Sequence, residues 1–593
     1  MYGEFHYAIG VEKCRYNGQQ GKELSPVPSC RGTKSMRASI YRNLTVALAI
    51  LLPLTVVGME PVPANLQTGL SQISEVDLRA DVTFLASGVL KGRAPMTEGD
   101  DAAVQWIVSE FTKAGLTPAA TDAKGQPSFL QPVPLIAYSP DSAATRLVLK
   151  RNGKDTSWKS PDVTGRFPAD LDVHGPVVFA GYGITAPELG YDDYANLDAK
   201  GKVVVVFNGE PQESDSKSIF NGAGNTMYAT GRVKLLTAQA HGAVAVLFVP
   251  ASGISSLSPA QARRARNGRG YPNNEPHPVH PVYVLADDEV HIPSLTLSSQ
   301  VADQLLATSA STPAKLHAAI DKDLKSVSRA LPDTDVSLHF SSRVEQKGTT
   351  WNVAGLLQGL DPTLSAETII ISGHHDHHGE NKDGAIFPGA DDNASGTAGV
   401  VALAHAFMAN PVKPKRSILF VVFGAEEAPL LGSYYMVAHP LRPLATTRAV
   451  INFDMIGRDE KPSWQTDDTD VKVPADTSNR LNLVGSPYSP SYRRTVGEQN
   501  RMVGLVLDAR FDHDHEINVL FRSDQFPFLL KGIPAFWWFT GFHPDYHHVT
   551  DTADRINYVK MAKILRLAYL SAWKFADEQQ PPRFVVDPKG GAD

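Results

Sequence analysis

Thr368-Ile369-Ile370-Ile371-Ser372-Gly373-His374-His375-Asp376-His377-His378 is the stretch that decides how this chain folds. Its first half is a near-continuous apolar run, which predicts a strand buried on both faces rather than a half-exposed one. Its second half is a dense cluster of imidazoles placed where that strand should end. Runs of the same kind recur at residues 417–423, 449–453 and 533–539. Between the first two, Val400, Val401, Ala404, Phe407 and Met408 recur at helical spacing within residues 394–408. Strands alternating with helices predict an α/β domain with a mainly parallel, mixed sheet flanked by helices. In such sheets ligands bind beyond the carboxyl ends of the strands. His374, Glu426, Glu427 and Asp454 all fall just past the end of a predicted strand.

Working outward, the catalytic-type domain is expected over residues 321–578, with residues 65–140 as its N-terminal part. There Ala102, Val104, Ile107, Val108, Phe111 and Leu116 follow a helical stripe that Gly115 stops. Residues 141–320 have a different texture. Short apolar runs at 176–181, 202–207, 243–249, 281–285 and 293–297 are separated by Gly, Pro, Asn and Asp, which predicts an inserted β-rich domain. Residues 232–241 and 300–308 read as its helices. Residues 459–479 form a polar insertion, and residues 579–593 read as a loose tail.

A chain of 593 residues is too long for one ordinary core. Hydrophobic residues at 42% and charged residues at 20% mark a globular chain rather than a disordered one. A net charge of −7 and a pI near 6.3 argue against nucleic acid or an anionic membrane as partner. Residues 1–64 read as an upstream segment and a signal peptide. Met36 is the better start, Arg37 and Arg42 precede the mostly apolar residues 44–57, and Val62-Pro63-Ala64 supplies small residues for cleavage. Export to a periplasm or the medium is expected, with no stable membrane span after cleavage; the alternative is an uncleaved anchor. Cys14 and Cys30 both lie in the upstream segment. A mature chain from residue 65 therefore holds metal only through His and carboxylate groups.

His374, Asp392, Glu427, Asp454 and His547 supply two imidazoles and three carboxylates, one of them free to bridge. Such a set can hold two divalent cations, which suits two-metal hydrolysis: one ion polarises a carbonyl and the pair lowers the pKa of a bound water. Asp376 is read as the carboxylate that fixes the His374 ring. Neighbouring side chains of an extended segment point to opposite faces, so at most alternate members of the His374–His378 cluster should share a centre. Gly389-Ala390-Asp391-Asp392-Asn393-Ala394-Ser395-Gly396 is a tight turn into a helix, with Asp392 as the bridge and Asp391 available as an N-cap-type residue. Asn393-Ala394-Ser395 spells a glycosylation sequon but lies inside the site, so it is read as a chance match. Glu426 and Glu427 repel each other unless a cation or proton intervenes. Glu427 is assigned to metal and Glu426 to general base, then acid; the bland alternative is an acidic first helical turn. Tyr546 is placed to donate a hydrogen bond to a developing oxyanion. Asp512-His513-Asp514-His515-Glu516 competes as a second metal-type cluster or as a solvated loop.

At these residues the chain resembles the co-catalytic dizinc aminopeptidase family, which includes bacterial leucyl aminopeptidases and the catalytic domain of glutamate carboxypeptidase II. The resemblance is carried by Gly373-His374-His375-Asp376-His377, Pro388 with the turn to Gly396, Gly424-Ala425-Glu426-Glu427 with Leu431-Gly432-Ser433, Asn452-Phe453-Asp454-Met455, and Tyr546-His547 with Asp551-Thr552. It covers roughly residues 337–577 plus residues 77–115. The insert looks like a protease-associated domain on the strength of Phe179-Ala180-Gly181-Tyr182-Gly183. The resemblance implies a zinc-exopeptidase-like fold and two Zn2+ per chain. His374, Asp392 and Asp454 would hold one ion and Asp392, Glu427 and His547 the other, with Asp392 bridging and Glu426 catalytic. It implies an exported zinc metallo-aminopeptidase that takes residues from peptides with a free N-terminus, through a metal-bridged water with Glu426 as base. An excess of carboxylates over imidazoles should favour a substrate ammonium group. Phe536, Trp537, Trp538 and Phe539 suggest an apolar residue at the cleaved end, the alternative for some of these rings being a place in the core. The complete ligand set disfavours the inactive receptor branch, and retention of both His374 and Asp454 disfavours the single-zinc cyclase branch. The rival readings are a dizinc carboxypeptidase or amidohydrolase, which needs a cationic pocket, and a non-catalytic receptor-like binding protein.

Overall fold

The four apolar runs pair side by side. Ser417–Phe423 runs parallel to Thr368–His374, which runs parallel to Thr447–Phe453, which in turn runs parallel to Ala535–Phe539. The computed structural model describes residues 59–213, 215–222, 224–250, 281–307, 311–467 and 469–585. Residues 1–58 of the leader reading, with both cysteines, lie outside the described residues, as do residues 251–280 and the end of the tail. Alternate residues of each strand serve two different cores, which is why the runs show no polar alternation. Ile369, Ile371, Phe420, Val422, Phe536 and Trp538 pack on one face against the helices Glu98–Ala114, Gly396–Ala409 and Tyr558–Asp577. Ile370, Val421, Phe423, Val450, Trp537 and Phe539 pack on the other, against Leu431–Ala438 and Gln525–Leu530. Each such buried side chain contributes about 1.5–3 kcal/mol.

Antiparallel strands extend this sheet to ten strands among the described residues, so it is mixed with a parallel centre. The helix Glu98–Ala114 follows its sequence signals. Thr97 accepts from the Asp100 amide, Glu98, Asp100 and Asp101 occupy the first turn, and Gly115 at φ 84° ends it. Among the described residues no helix is long and apolar enough to cross a membrane.

A second sheet, of eight strands among the described residues, has its own parallel centre, Leu171–Phe179, Val203–Phe207, Ala245–Val249 and Ser294–Leu297. Two segments sit differently from the sequence reading. Val282–Leu285, grouped there with the insert, pairs antiparallel with Leu130–Pro140 at the edge of the first sheet. The reason is packing, because Leu285 completes the core around Val133 and Leu135. Arg329–Phe340, read as the opening of the catalytic domain, runs in the second sheet between Arg146–Arg151 and Leu171–Phe179. The chain then crosses over, and Ser342–Leu357 joins the first sheet. The start of the tail is not loose: Phe584 stacks on Tyr488 at 5.6 Å and the Val585 amide donates to the Tyr488 carbonyl. The sheets meet beside the parallel strand ends, where the Arg232 guanidinium lies 4.0 Å over the Tyr434 ring and Asn225 donates to Asn518 at 2.7 Å.

Candidate metal centre

Each proposed ligand enters the site at, or just beyond, the carboxyl edge of the central sheet. His374 closes its strand, and the Thr397 hydroxyl donates to its carbonyl at 2.6 Å. Gly396 lets the following helix close on the neighbouring strand, since a Cβ there would meet the Phe453 carbonyl at 2.4 Å. Three loops carry a non-glycine residue in the left-handed region: Ala425 at φ 58°, Met455 at φ 58° and His547 at φ 62°. Conformations of this kind cost about 1–3 kcal/mol each and collect at functional sites.

The five ligand-type residues come together. His374 Nε2 lies 3.5 Å from Asp392 Oδ1, 3.5 Å from Asp454 Oδ1 and 3.7 Å from Glu426 Oε2. His547 Nε2 lies 2.9 Å from Asp392 Oδ2 and 3.5 Å from Glu427 Oε2. One oxygen of Asp392 therefore faces each imidazole. The ligand atoms of His374, Glu426 and Asp454 lie within 4.8 Å of one another, as do those of Asp392, Glu427 and His547.

The residues fit divalent cations. His374 Nε2 is buried and makes no hydrogen bond, although carboxylate oxygens surround it at 3.5–3.7 Å. Two ligands about 2.1 Å from one tetrahedral ion would lie about 3.4 Å apart, which matches that spacing. Electrostatics say the same. Burial and then the neighbouring Glu427 and Asp454 push the Asp392 carboxyl well above its ordinary range. Burial does the same to Glu426, with Asp454 and Asp524 adding and His374 opposing. Burial would lower the His374 imidazole, but Glu426 and Asp454 raise it well above its usual value. A buried knot of carboxylates in this state calls for positive charge.

Asp376 ties the loops together. Its Oδ1 accepts from the Glu426 amide at 2.9 Å and its Oδ2 from the Glu427 amide at 3.2 Å, while Oδ1 lies 3.7 Å from His374 Nδ1. Burial works against its charge, yet the His374 hydrogen bond and charge hold it below the usual carboxylate range.

The expectation of alternation within His374–His378 fails. His377 Nδ1 lies 2.8 Å from Glu427 Oε1 and His378 Nε2 lies 3.4 Å from Glu427 Oε2, so neighbours reach one carboxylate. The strand ends at His374, and the two-residue period ends with it. Asp391 is not an N-cap: it accepts from the Gly457 amide at 2.6 Å and lies 3.2 Å from His543 Nε2. In the competing cluster, Asp512 accepts from the Gly485 and Ser486 amides and Asp514 from those of Glu516 and Ile517. These acids build turns, and His513 and His515 join no metal-type group among the described residues. Of the four aromatic residues at 536–539, Trp537 lines the cleft over the ligands, and its Nε1 donates to the Asp454 carbonyl. The cleft measures about 1410 Å³ and runs between the two sheets.

Sequence reasoning assigned no role to several supporting residues. Arg93 is buried, and its guanidinium donates to the carbonyls of Leu85, His375, Pro388 and Gly389. Burial lowers it to about 10. Asp551 Oδ2 accepts from the Asp391 and Asp392 amides and so orients the central carboxylate. Asp524 is fully buried near the acids, and burial pushes its carboxyl up to about 7. His375 turns away from the centre, 3.1 Å from Asp100.

Residues 352–571 match the family model described as Peptidase family M28. Over 215 residues the chain is 30% identical to "Probable lipoprotein aminopeptidase LpqL" of Mycobacterium tuberculosis, covering 32% of this chain and 39% of that protein. Over 247 residues it is 26% identical to leucine aminopeptidase 2 of Arthroderma otae, covering 37% and 44%. The chain thus spans less than half the length of these two relatives. The solved aminopeptidase from Aneurinibacillus sp. strain AM-1 aligns with a TM-score of 0.44 at 19% identity, over 88% of this chain and 98% of that one. A zinc aminopeptidase from Bacillus subtilis aligns at 0.39 and 18%, over 88% and 97%.

Proposed function

We propose that this protein is an exported zinc metallo-aminopeptidase, a reading supported by the match of residues 352–571 to the model described as Peptidase family M28. The single observation that carries the reading is the Asp392 carboxylate, with one oxygen toward His374 and the other toward His547. That placement supports two Zn2+ per chain, one on His374, Asp392 and Asp454 and the other on Asp392, Glu427 and His547. When bound, the ions would polarise the scissile carbonyl and acidify the attacking water. Glu426 accepts the water's proton and returns it to the departing amine. Asp376 holds Glu426 and Glu427 through their amides. Tyr546 donates to the carbonyl oxygen as it gains charge.

The substrates are peptides with a free N-terminus, and no nucleic acid takes part. Asp392, Glu426, Glu427 and Asp454 concentrate negative charge at the cleft floor, which favours an ammonium group. Trp537 on the cleft wall favours an apolar first residue. The second sheet is read as a protease-associated domain. Export rests on residues 1–64 and is supported by one relative whose name calls it a probable lipoprotein; N-terminal sequencing of exported protein starting at residue 65 checks it.

The test is leucyl-p-nitroanilide against its N-acetyl form, with and without zinc. Only the free amine should be cleaved, and equal cleavage of both overturns the reading. One observation favours a carboxypeptidase instead: the exposed cation Arg166 lines the same cleft and could meet a substrate carboxylate. Efficient release of C-terminal residues from N-blocked peptides would establish that alternative.

A further inference from the structure

The Tyr546 hydroxyl has a cationic partner that the proposed chemistry leaves unexplained. Arg522 NH2 donates to Tyr546 Oη at 3.2 Å, and both residues line the cleft beside the ligand cluster. A guanidinium has donors only, so the phenol oxygen must be the acceptor in this bond. The phenol's own proton is thereby turned away from Arg522. Among the described residues the Tyr546 hydroxyl donates to no protein atom.

Arg522 is itself held at both ends. Its NH1 donates to Gln465 Oε1 at 3.0 Å, and its guanidinium lies 5.1 Å over the Phe542 ring. Trp464 stacks on Tyr546 at 6.1 Å, while Tyr546 packs at 3.7 Å against the His547 ring. Trp464 and Gln465 belong to the polar insertion at 459–479, whose purpose was not legible in the sequence. An arginine serving to capture a substrate carboxylate would keep its fork open to the cleft. Here NH1 is engaged by Gln465 and NH2 by Tyr546 itself.

We propose that Arg522 is a positioning residue that, steadied by the insertion at Gln465, fixes the Tyr546 oxygen as acceptor and directs its proton at the substrate carbonyl oxygen. The proposal rests on the peptidase reading. As that oxygen gains negative charge, the hydrogen bond from Tyr546 strengthens, and the adjoining positive charge makes the phenol a better donor. The contribution therefore appears in the transition state and less in the ground state.

A double-mutant cycle on the zinc-loaded enzyme tests this, with R522M, R522K, Y546F and R522M/Y546F assayed on leucyl-p-nitroanilide. Loss of one oxyanion donor costs about a hundredfold to a thousandfold in kcat, which sets the expectation for Y546F. R522M should lower kcat about tenfold or more with KM little changed. R522K, which keeps a cationic donor, should recover part of that loss, and R522M should add little in the Y546F background. A second arm measures binding of leucine phosphonic acid, a tetrahedral mimic, by calorimetry. Its affinity should fall in R522M and in Y546F and no further in the double variant. Equal effects of R522M with and without Tyr546, or a change confined to KM, overturn the proposal. If R522M does not fold or loses zinc, R522K decides by the same cycle. If the wild type cleaves none of the substrates, the peptidase reading fails and the calorimetric arm decides alone. Unchanged affinity in R522M, or no binding to the wild type, then overturns this inference as well.

Discussion

The carboxylate of Asp392 lies between two imidazoles, with Oδ1 3.5 Å from His374 Nε2 and Oδ2 2.9 Å from His547 Nε2. Both halves of the site share it, so its loss should disturb both. Asp392→Asn should lower zinc content below two per chain and reduce activity by at least about tenfold to a hundredfold, the loss typical even of outer residues at metal sites. His374→Ala should release one ion. Metal analysis of purified variants checks this, and two ions retained in Asp392→Asn would remove the bridge.

Glu426 and Glu427 are neighbours with separate tasks. Glu426→Gln should lower turnover about a hundredfold to ten-thousandfold with zinc retained, because an amide cannot accept the water's proton. Glu427→Gln should lose zinc. Paired measurements of kcat and metal content distinguish the two, and an active Glu426→Gln beside a zinc-depleted, inactive Glu427→Gln would reverse nothing about Glu427 but would remove Glu426 as base.

Arg93 bonds four backbone carbonyls from loops far apart in the sequence. Arg93→Met should leave those buried acceptors without a donor, at about 1–3 kcal/mol for each that cannot relax. Denaturant unfolding should show a loss of several kcal/mol. A variant as stable as the wild type would mean that water replaces the guanidinium.

Asp81 gives a pH prediction away from the metal centre. Burial, then Glu110 and Asp77, raise its carboxyl to about 7 from an ordinary 3.8. The folded state therefore binds this proton more tightly than the unfolded state. Stability from the group is fully present below about pH 4 and is lost as pH rises through 7. Asp81→Asn should stabilise the protein at pH 8 by about 1–2 kcal/mol after allowance for solvent screening, and should do little at pH 4. Melting curves at the two pH values check it; an equal shift at both would point to a cause other than this proton.

The central strands were legible because burial on both faces removes polar alternation, a property each segment carries locally. Ile369, Ile370 and Ile371 announce two cores before either is seen. The ends of those runs put His374, Glu427 and Asp454 at or just past the strand ends, where the structure also has them, since a strand's end fixes where its next side chain emerges. What a segment pairs with is not local. Val282–Leu285 has the texture of the insert yet completes the first sheet, because its neighbour is chosen by packing against Val133 and Leu135. The two-residue period likewise misplaced His377 and His378, because it held only while the backbone stayed extended. Arg93 and Arg522 were invisible as site residues. A guanidinium's partners are carbonyls and hydroxyls brought near by the fold, and any sequence supplies those in plenty. By itself, then, the chain's order of residues determined the sheet, its buried faces and the ligand types at its edge. The sequence also named Asp392 as the bridging carboxylate. Only the tertiary structure decided that its two oxygens face His374 and His547 and that Arg522 donates to Tyr546, because both depend on distances between segments that the chain brings together last.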